Sequence, residues 1–351
     1  MIFDFWKVHI MKTEVIKVNS SSDPGVKKAA KLLKKGEVVA IPTETVYGLA
    51  ANAFDEKAVE KIFAAKGRPS DNPLIVHISE LSQWAELVES IPENALALAR
   101  AFWPGPLTII LKKSSLIPLR TSGGLDTVGV RMPLHPTARA IISAAGVPLA
   151  APSANNSGKP STTTAEHCLH DLDGKIPLII DSGECSVGVE STVVTLVPKV
   201  PRVLRPGGIS PEMLADVLGE VEVDDAVLSK LADGAVAASP GMKYKHYSPN
   251  AKVSIVKGSF ESFKTFVEAQ KEKDVLALVF EGEGKRLSVP FIEYGKENDG
   301  ASQARKIFSA LRRVDETGAK LVYARFPEKD GVGLAVLNRL IRAAAFNIIE
   351  L

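Results

Sequence analysis

The residues with the clearest chemical potential form one run, Lys66-Gly-Arg-Pro-Ser-Asp-Asn-Pro-Leu74. Two cations and two neutral hydrogen-bonding side chains alternate in it, and an extended chain sends alternate side chains to one face. Its two prolines favour extended geometry in the residues before them and exclude a continuous helix. Fixed positive charges beside neutral donors suit a polyanion such as a nucleoside triphosphate. The pattern therefore predicts a phosphate-binding strip formed by Lys66, Arg68, Ser70 and Asn72.

The same run also fits the end of a helix. In that interpretation Lys66 faces the negative end of the helix dipole, Gly67 caps the last turn, and Pro69 stops the helix. The run alone is compatible with both interpretations, so the rest of the sequence has to decide between them.

Further polar candidates follow apolar segments that are predicted to be strands. Thr45 follows the strand 37–41, and Ser153 follows the strand 149–151. Side chains at strand ends commonly bind ligands in α/β sheets, and small residues such as Ala151 let a ligand approach the backbone. A hydroxyl-capped turn and an ordinary strand exit explain the same residues without a ligand, so both interpretations stay open.

Three basic side chains add to these candidates. Thr127 and Arg131 share one face of a predicted strand, and an inward Arg131 requires an anion, although a surface ion pair is the alternative. Arg205 precedes a helix predicted to begin at Ser210, where free amides could hold phosphate or simply form a capping loop. His77 lies inside an apolar strand, where a single histidine is more often a packed residue than a ligand-binding one.

Length and composition describe a globular protein of about two domains. The chain has 351 residues, of which 45% are apolar and 24% charged, and a formal net charge of +2. This balance gives no whole-chain reason to expect direct nucleic-acid binding. Cys168 and Cys185 have no metal-ligand spacing, and a reducing cytosol is their simplest setting. The start of the sequence is not a signal peptide, and no apolar run is long enough to span a membrane.

Several familiar catalytic motifs are absent from the sequence. Ser157-Gly-Lys-Pro-Ser161 looks similar to a phosphate-binding P-loop, but Pro160 replaces the required hydroxyl residue and the first glycine is missing. The G-x-G-x-x-G, H-E-x-x-H and G-x-S-x-G patterns do not occur. A nucleotide enzyme with this sequence must therefore hold phosphates in another way.

Alternating strand and helix patterns divide the chain into four parts. Residues 1–12 read as an N-terminal extension, and 13–219 as a mixed α/β domain. Residues 220–250 read as a linker, although the stretch 240–249 is unusually rich in Tyr, His and Lys. Residues 251–351 form a second alternating pattern, which predicts a smaller α/β domain.

The motifs together, in their order, resemble the threonylcarbamoyl-AMP synthase family, the YrdC-like enzymes of tRNA modification. The matching segments are PTET-YGL at 42–49, KGRPSDNPL at 66–74, His77, FWPGPLT at 102–108, VGVRMP at 128–133, APSAN at 151–155, GVEST at 188–192 and RPG at 205–207. The segment SPGMKYKHYSP and the second domain resemble the two-domain branch of that family. Each motif is weak alone, but eight in one order are a strong signal.

The resemblance implies a fold and a reaction. The fold is a mixed, twisted-sheet YrdC-like domain with an open ligand cleft, followed by a smaller Rossmann-like α/β domain. The reaction joins L-threonine, bicarbonate and ATP into threonylcarbamoyl-AMP and releases pyrophosphate. Other proteins, the tRNA-modifying threonylcarbamoyltransferases, then use the product, so direct tRNA binding is not required. Mg²⁺ would be held mainly by ATP phosphates, with no metal ligands from the protein, in the cytoplasm and away from membranes.

The resemblance also assigns roles to individual residues. Lys66 and Arg68 are the candidate catalytic residues. The implied ATP contacts are Lys66, Arg68, Asn72, Thr127, Ser153, Ser161, Arg205, Tyr244 and His246. The implied threonine contacts are Thr45, His77, Arg131, Ala151 through its backbone, and Ser191. Tyr244 and His246 belong to the 240–249 segment, which would act as a lid over the nucleotide, or alternatively would pack against one of the domains.

Two other functions remain open at this point. An RNA-binding module would use the same basic strip on phosphates without chemistry and would show a steep salt dependence. A carbamoyltransferase of the hydrogenase-maturation type contains a similar domain, but it also carries zinc-finger regions that two cysteines cannot supply.

Overall fold

A computed structural model describes residues 12–70, 72–230, 239, 246–270 and 274–351. These residues form two β-sheets with helices packed on their faces, which confirms the predicted mixed α/β class. We call residues 13–223, which contain the first sheet, the N-terminal unit. We call residues 252–350, which contain the second sheet, the C-terminal unit. Tyr244 lies outside the described residues.

The elements of the N-terminal unit are, in chain order, β1 (Glu14–Lys17), α1 (Pro24–Lys34), β2 (Val39–Ile41), β3 (Gly48–Asn52), α2 (Glu56–Lys66), β4 (Ile75–His77), α3 (Ser82–Leu87), α4 (Glu93–Phe102), β5 (Leu107–Lys112), α5 (Leu119–Ser122), β6 (Thr127–Arg131), α6 (Pro136–Ala145), β7 (Leu149–Ala150), α7 (Ala165–Leu172), β8 (Leu178–Asp181), β9 (Thr192–Thr195), β10 (Arg202–Arg205), α8 (Pro211–Leu218) and β11 (Glu222–Val223). Its sheet has the order β1-β8-β2-β3-β7-β4-β6-β5-β9-β10-β11 and mixes parallel with antiparallel pairs.

The elements of the C-terminal unit are β12 (Lys252–Lys257), α9 (Phe260–Glu268), β13 (Val275–Val279), β14 (Phe291–Glu293), α10 (Gly300–Thr317), β15 (Leu321–Arg325), α11 (Gly333–Ala343) and β16 (Ile348–Glu350). The sheet has the order β14-β13-β15-β12-β16, and the strand pairs among the described residues are parallel.

Local capping signals fix where the helices begin. Asp23 accepts a hydrogen bond from the backbone N–H of Gly25 at 2.9 Å, and Pro24 is the first residue of α1. Ser210 caps α8 in the same way. These side chains satisfy N–H groups that the first helical turn leaves without partners. The sequence predicts both helix starts correctly because such capping is local.

Alternate burial places the N-terminal sheet between two apolar layers. Ala40 of β2 packs into one core cluster, whereas its neighbours Val39 and Ile41 pack into another on the opposite face. The first cluster includes Ile62 of α2, and the second includes Leu33 of α1. Successive strand residues point to opposite faces, so a strand that is apolar throughout is covered on both sides.

The two units share an apolar core. Phe308 of α10 and Leu340 of α11 pack in one cluster with Val46 and Val189 of the N-terminal unit. At Gly188 the backbone of the N-terminal unit lies against α10, with φ at 81° and an added Cβ only 2.4 Å from a backbone atom of that helix. The glycine of the GVEST motif is therefore required by the contact between the units.

The structure corrects the prediction of a four-residue extended face. Lys66 is the last residue of α2, and Gly67 caps that helix in the left-handed conformation with φ at 60°. Ser70 is exposed and Asn72 is buried, so the polar side chains of the run do not share one face. The helix-end interpretation is confirmed for Lys66, because alternation of side chains applies only to chain that is extended throughout.

Some strands differ from the sequence patterns. The pattern does not predict β3, β10 or β16, and β3 (sequence GLAAN) has no β-branched residue. β3 forms because it pairs with β2 on one side and β7 on the other. The strand predicted at 287–292 lies at Phe291–Glu293. β11 extends the first sheet into the segment predicted to be a linker.

Candidate active site

A polar cleft in the N-terminal unit gathers most of the predicted site residues. Its walls come from several strand ends and from the loops that follow them. The predicted residues that line it are Thr45, Lys66, Arg68, His77, Arg131, Ala151, Ser153, Ser161, Ser191, Arg205 and His246. Residues far apart in the sequence thus contribute to one concave site.

Lys66 joins the end of α2 to the loop after β7. Its ammonium donates hydrogen bonds to the carbonyl oxygens of Ser153 and Asn155, the latter at 2.6 Å. The side chain is buried, and burial together with the nearby Arg68 guanidinium holds the pKa of Lys66 well below its usual value. These two bonds fix the Lys66 nitrogen at the wall of the cleft.

The loop after β7 is fixed by its own polar contacts. The Ser153 hydroxyl donates to Asn155 Oδ1, and the Asn155 amide donates to the Lys159 carbonyl oxygen at 3.0 Å. Gly48 forms an antiparallel bridge with Ser153, and an added Cβ at Gly48 would lie 3.2 Å from the Ala151 Cβ. The small residues of this loop therefore allow two backbones to approach closely beneath the cleft.

Arg131 reaches into the cleft from the end of β6 and is held on several sides. Its guanidinium lies 2.7 Å from a Glu44 carboxylate oxygen and donates to the Thr45 hydroxyl at 2.8 Å and to the Gly105 carbonyl oxygen at 3.3 Å. Both partners of the ion pair are buried. The surface ion pair considered for Arg131 is therefore wrong, because the anion that it requires lies inside the protein.

The ionisation of this group of residues follows from its burial. Burial alone would raise the pKa of Glu44, but the Arg131 charge and hydrogen bonding outweigh it and hold the pKa below the usual value. Burial and the Arg131 charge lower the pKa of His77 to about 3. His77 is therefore neutral at physiological pH, and its Nδ1 lies 3.3 Å from the Ile75 carbonyl oxygen. His77 is both a packed residue and a cleft residue.

Ser191 and Arg205 form a second polar group in the cleft. Arg205 donates through Nε to the Ser191 carbonyl oxygen at 3.1 Å and through Nη2 to the Ser191 hydroxyl at 3.2 Å. The Thr108 and Ser191 hydroxyls lie 2.8 Å apart. Gly207 allows this arrangement, since an added Cβ would lie 2.2 Å from the Thr192 backbone nitrogen. The RPG motif therefore combines a cation with a close backbone contact.

Glu190 lies behind this group and connects it to the C-terminal unit. One carboxylate oxygen of Glu190 accepts from the Ser161 hydroxyl, and the other accepts from Arg339 Nε at 2.9 Å. Sequence analysis missed the roles of Glu44, Glu190 and Arg339. For Glu44 and Glu190 the only local signal was a single acidic residue inside the motifs PTET and GVEST. Arg339 had no local signal, because its partner Glu190 is 149 residues away in the sequence.

His246 and Tyr247 line the cleft where the chain enters the C-terminal unit. Burial and the Arg68 charge lower the pKa of His246 to about 3, so it is neutral at physiological pH. The Tyr247 ring is buried and packs against Phe308, with ring centroids 5.1 Å apart. Ser248 then bonds to the carbonyl oxygen of Gly158 at 3.0 Å. Both units therefore hold the segment at this point.

Two predicted residues lie outside the main cleft. Thr127 lines a small neighbouring cavity, which shares Ile75 with the cleft. Asn72 is buried, and its Oδ1 makes no hydrogen bond to a described residue. Their roles as ATP contacts remain predictions.

The remaining chemistry of the described residues is limited. They contain no cluster of His, Cys, Asp or Glu side chains that could hold a metal ion. Cys168 and Cys185 are buried and free, and burial raises the pKa of the Cys168 thiol to about 12. Among the described helices, none combines the length and the apolar character that crossing a bilayer requires.

Comparison with known proteins identifies two family segments. Residues 31–207 match a family described as "Telomere recombination", and residues 209–345 match the threonylcarbamoyl-AMP synthase C-terminal domain. Threonylcarbamoyl-AMP synthase of Pyrococcus abyssi is 46% identical over 93% of this chain and 95% of its own length. The Bacillus subtilis protein of that name is 45% identical over 94% of this chain and 96% of its own.

A solved structure agrees with these sequence matches. The crystal structure of P. abyssi Sua5 complexed with L-threonine superimposes with a TM-score of 0.91 and 44% identity, covering 97% of this chain and 100% of that one. These relatives carry the synthase name and not that of an RNA-binding module or a carbamoyltransferase. Matches across both units at this identity show that the chain belongs to the threonylcarbamoyl-AMP synthase family, in its two-domain form.

Proposed function

We propose that the cleft converts L-threonine, bicarbonate and ATP into threonylcarbamoyl-AMP and pyrophosphate. The observation that carries this proposal is the gathering of four basic side chains, Lys66, Arg68, Arg131 and Arg205, in one partly enclosed cleft. Such a cleft neutralises a triphosphate and excludes water from reactive intermediates. Family membership supports the reaction type.

The proposed chemistry needs positioning more than a special nucleophile. The threonine amine and bicarbonate first give an N-carboxylate with loss of water. A carboxylate oxygen then attacks the α-phosphorus of ATP in line, the new P–O bond forms, and the bond to the bridging oxygen breaks with pyrophosphate as the leaving group. Charge neutralisation and alignment dominate phosphoryl-type transfer, so the absence of a Ser-His-Asp arrangement from the sequence motifs is no objection.

The two ends of the cleft suit the two substrates. We assign threonine to the end formed by Thr45, His77, Arg131, Ala151 and Ser191. Arg131 suits a carboxylate because its guanidinium has five donors in a planar fork, of which the bonds described above use only part. We assign ATP to the end formed by Lys66, Arg68, Ser153, Ser161, Arg205 and His246, with Asn72, Thr127 and Tyr244 as further predicted contacts.

Mg²⁺ fits this site as a companion of the nucleotide. Glu190, which lines the cleft, is paired with Arg339, and Glu44 is paired with the cleft residue Arg131. The donor set thus suits a metal that takes its ligands from phosphate oxygens and water. When bound, the ion would neutralise phosphate charge, and the residues named above would hold the substrates.

The product and setting follow from the same proposal. The threonylcarbamoyl group would pass to tRNA through separate threonylcarbamoyltransferase proteins in the cytoplasm. Direct tRNA binding by this chain is not required, and its net charge of +2 fits that view.

The reaction is tested by pyrophosphate release with threonine, bicarbonate or ATP omitted in turn. We expect release only with all three present, and a threonylcarbamoyl-adenylate product in the complete mixture. Equal release without threonine, or release of orthophosphate in place of pyrophosphate, would contradict the proposal.

A further inference from the structure

Arg339 of α11 belongs to the C-terminal unit, and its side chain is fully buried. It contacts the N-terminal unit three times. Its Nε donates to Glu190 Oε2 at 2.9 Å, its Nη2 to the Glu190 carbonyl oxygen at 3.3 Å, and its Nη1 to the Pro206 carbonyl oxygen at 2.5 Å. Arg339 does not line the cleft, so it acts on the cleft through the residues that it holds.

The groups held by Arg339 adjoin three cleft residues. The second Glu190 oxygen accepts from the Ser161 hydroxyl. Pro206 directly follows Arg205, and Ser191 directly follows Glu190 and binds Arg205. One guanidinium therefore supports the main-chain segment that carries Arg205, and it reaches the Ser161 hydroxyl through the Glu190 carboxylate.

Charge gives this contact a consequence beyond packing. Glu190 faces two arginines, Arg339 on one side and Arg205 on the other, and it lines the cleft. Burial would raise the pKa of Glu190, but these two cations hold it below its usual value. Without Arg339, a buried carboxylate would draw on Arg205 alone and would repel the phosphates of a nucleotide.

A second arginine of the C-terminal unit supports the same segment. Arg312 of α10 donates to Asp171 at 3.0 and 2.9 Å and to the carbonyl oxygen of Ser161 at 3.3 Å. Asp171 in turn accepts from the backbone N–H of Asn156 at 3.0 Å. The backbone of Ser161 is thus held by α10 while its side chain is held through Glu190 by α11.

We propose that Arg339 is a positioning residue for ATP, through which the C-terminal unit completes the nucleotide site by pairing with Glu190. This inference rests on the proposed function, because it takes Ser161 and Arg205 as ATP contacts. It gives the second unit a defined part in the reaction: Arg339 compensates the charge of Glu190 and holds the groups that position Ser161 and Arg205 at the cleft.

The test measures threonine-dependent pyrophosphate release by the full chain in Arg339→Met. We expect the KM for ATP to rise about tenfold or more and the KM for threonine to change much less. The ATP effect should weaken as pH falls from 8 to 6, because the unpaired Glu190 would take up a proton and cease to repel phosphate. The wild-type KM should not show this recovery at low pH.

Arg325→Met is the matched control. Arg325 is also a buried arginine of the C-terminal unit, but its ion pairs are with Glu283 and Glu297 of that unit. A general loosening of the C-terminal unit would affect both variants alike. Equal KM values for ATP in Arg325→Met and Arg339→Met, or no pH dependence of the Arg339→Met effect, would overturn the inference.

A double variant keeps the test decisive if Arg339→Met folds poorly. Glu190→Gln removes the charge that Arg339 pairs with, so adding Arg339→Met to Glu190→Gln should change the KM for ATP less than threefold. If Arg339→Met raised the KM for ATP by the same factor in the wild type and in Glu190→Gln, Arg339 would act by packing alone. If the wild type itself shows no threonine-dependent pyrophosphate release, the proposed function fails, whereas an active wild type with an insensitive Arg339→Met contradicts this inference alone.

Discussion

Arg131 and Glu44 form a buried ion pair, with Nη2 and Oε1 2.7 Å apart, at the end of the cleft that we assign to threonine. The residues are 87 positions apart in the sequence, and each is almost fully covered by protein. A buried pair of this kind contributes little net stability as a unit, but removal of one member leaves an uncompensated charge. The pair therefore fixes the position of Arg131, and Glu44 compensates its buried charge.

We predict that Glu44→Gln lowers the free energy of unfolding by about 3 kcal/mol, because it leaves the Arg131 guanidinium buried without its counter-ion. Bound threonine would supply a carboxylate to that guanidinium. Saturating L-threonine should thus raise the melting temperature of Glu44→Gln more than that of the wild type, as measured by calorimetry. Glu93→Gln, which breaks an exposed pair with Arg100, is the control and should change little. Equal melting temperatures of Glu44→Gln and Glu93→Gln would contradict the prediction.

Substitutions at the helix end should separate two roles. Lys66→Ala and Arg68→Ala should each reduce pyrophosphate release by about two orders of magnitude, the typical effect of losing one preorganised donor. Lys66→Ala should also lower the melting temperature, because its ammonium binds two loop carbonyls, whereas the half-buried Arg68 should matter mainly for the rate. Lys57→Ala, an exposed change at the start of the same helix, should alter neither quantity. Near-wild-type rates in both variants would leave Lys66 as a structural residue only.

Local signals explain which parts of the fold the sequence predicts. The starts of α1 and α8 are correct because Asp23 and Ser210 cap neighbouring N–H groups. The run 66–74 allowed two interpretations, a helix end and an extended strip. The alternation of polar residues predicted one shared face for them, and this prediction is wrong. Alternation applies to extended chain, and it could not show that Lys66 would remain helical. β3 was missed because pairing with neighbouring strands, and not its own residues, makes it a strand.

The candidate site shows a different limit. Its residues were found through motifs that mark strand ends and tight backbone contacts, such as Ser153 and Arg205. Their partners could not be found in the same way. Glu44 and Glu190 sit inside motifs as single acidic residues, and only the folded chain shows that one pairs with Arg131 and the other with Arg339. Pairings over such sequence distances depend on topology, which a local pattern does not contain.

We predict that the protein loses stability in mild acid, because it buries histidines in their neutral form. The pKa of His77 is lowered to about 3 in the folded protein, while that of the unfolded chain is about 6.5. Between these values the unfolded state binds more protons, so stability rises with pH and falls as pH drops below about 6.5. His77 alone should cost about 2 kcal/mol at pH 5, since each unit below the unfolded pKa costs about 1.4 kcal/mol.

Urea unfolding at pH 7 and pH 5 checks this prediction. The difference in unfolding free energy between the two pH values should be smaller in His77→Gln than in the wild type by about 2 kcal/mol. The pKa values of Glu44 and Glu190 are lowered in the folded protein, so their contributions to stability are lost only at more acidic pH. They therefore do not affect the comparison between pH 7 and pH 5. The same pH dependence in both proteins would show that His77 can be protonated in the folded state.

The segment that enters the C-terminal unit gives the last prediction, which concerns a lid. Tyr247 packs on Phe308 and Ser248 bonds to Gly158 and Ala343, so both units hold the chain at these two residues. His246 directly precedes them and lines the cleft.

We expect His246→Ala to reduce turnover with little loss of melting temperature, because His246 lines the cleft and is one of the residues that we assign to ATP. Tyr247→Ala should instead lower the melting temperature, because it removes a buried aromatic contact. If the preceding residues close over ATP, trypsin cleavage at Lys243 and Lys245 should slow when ATP and threonine are added together. Tyr247→Phe, which keeps the ring, controls for loss of packing. Ligand-independent cleavage together with unchanged turnover in His246→Ala would reduce the segment to a connection between the two units.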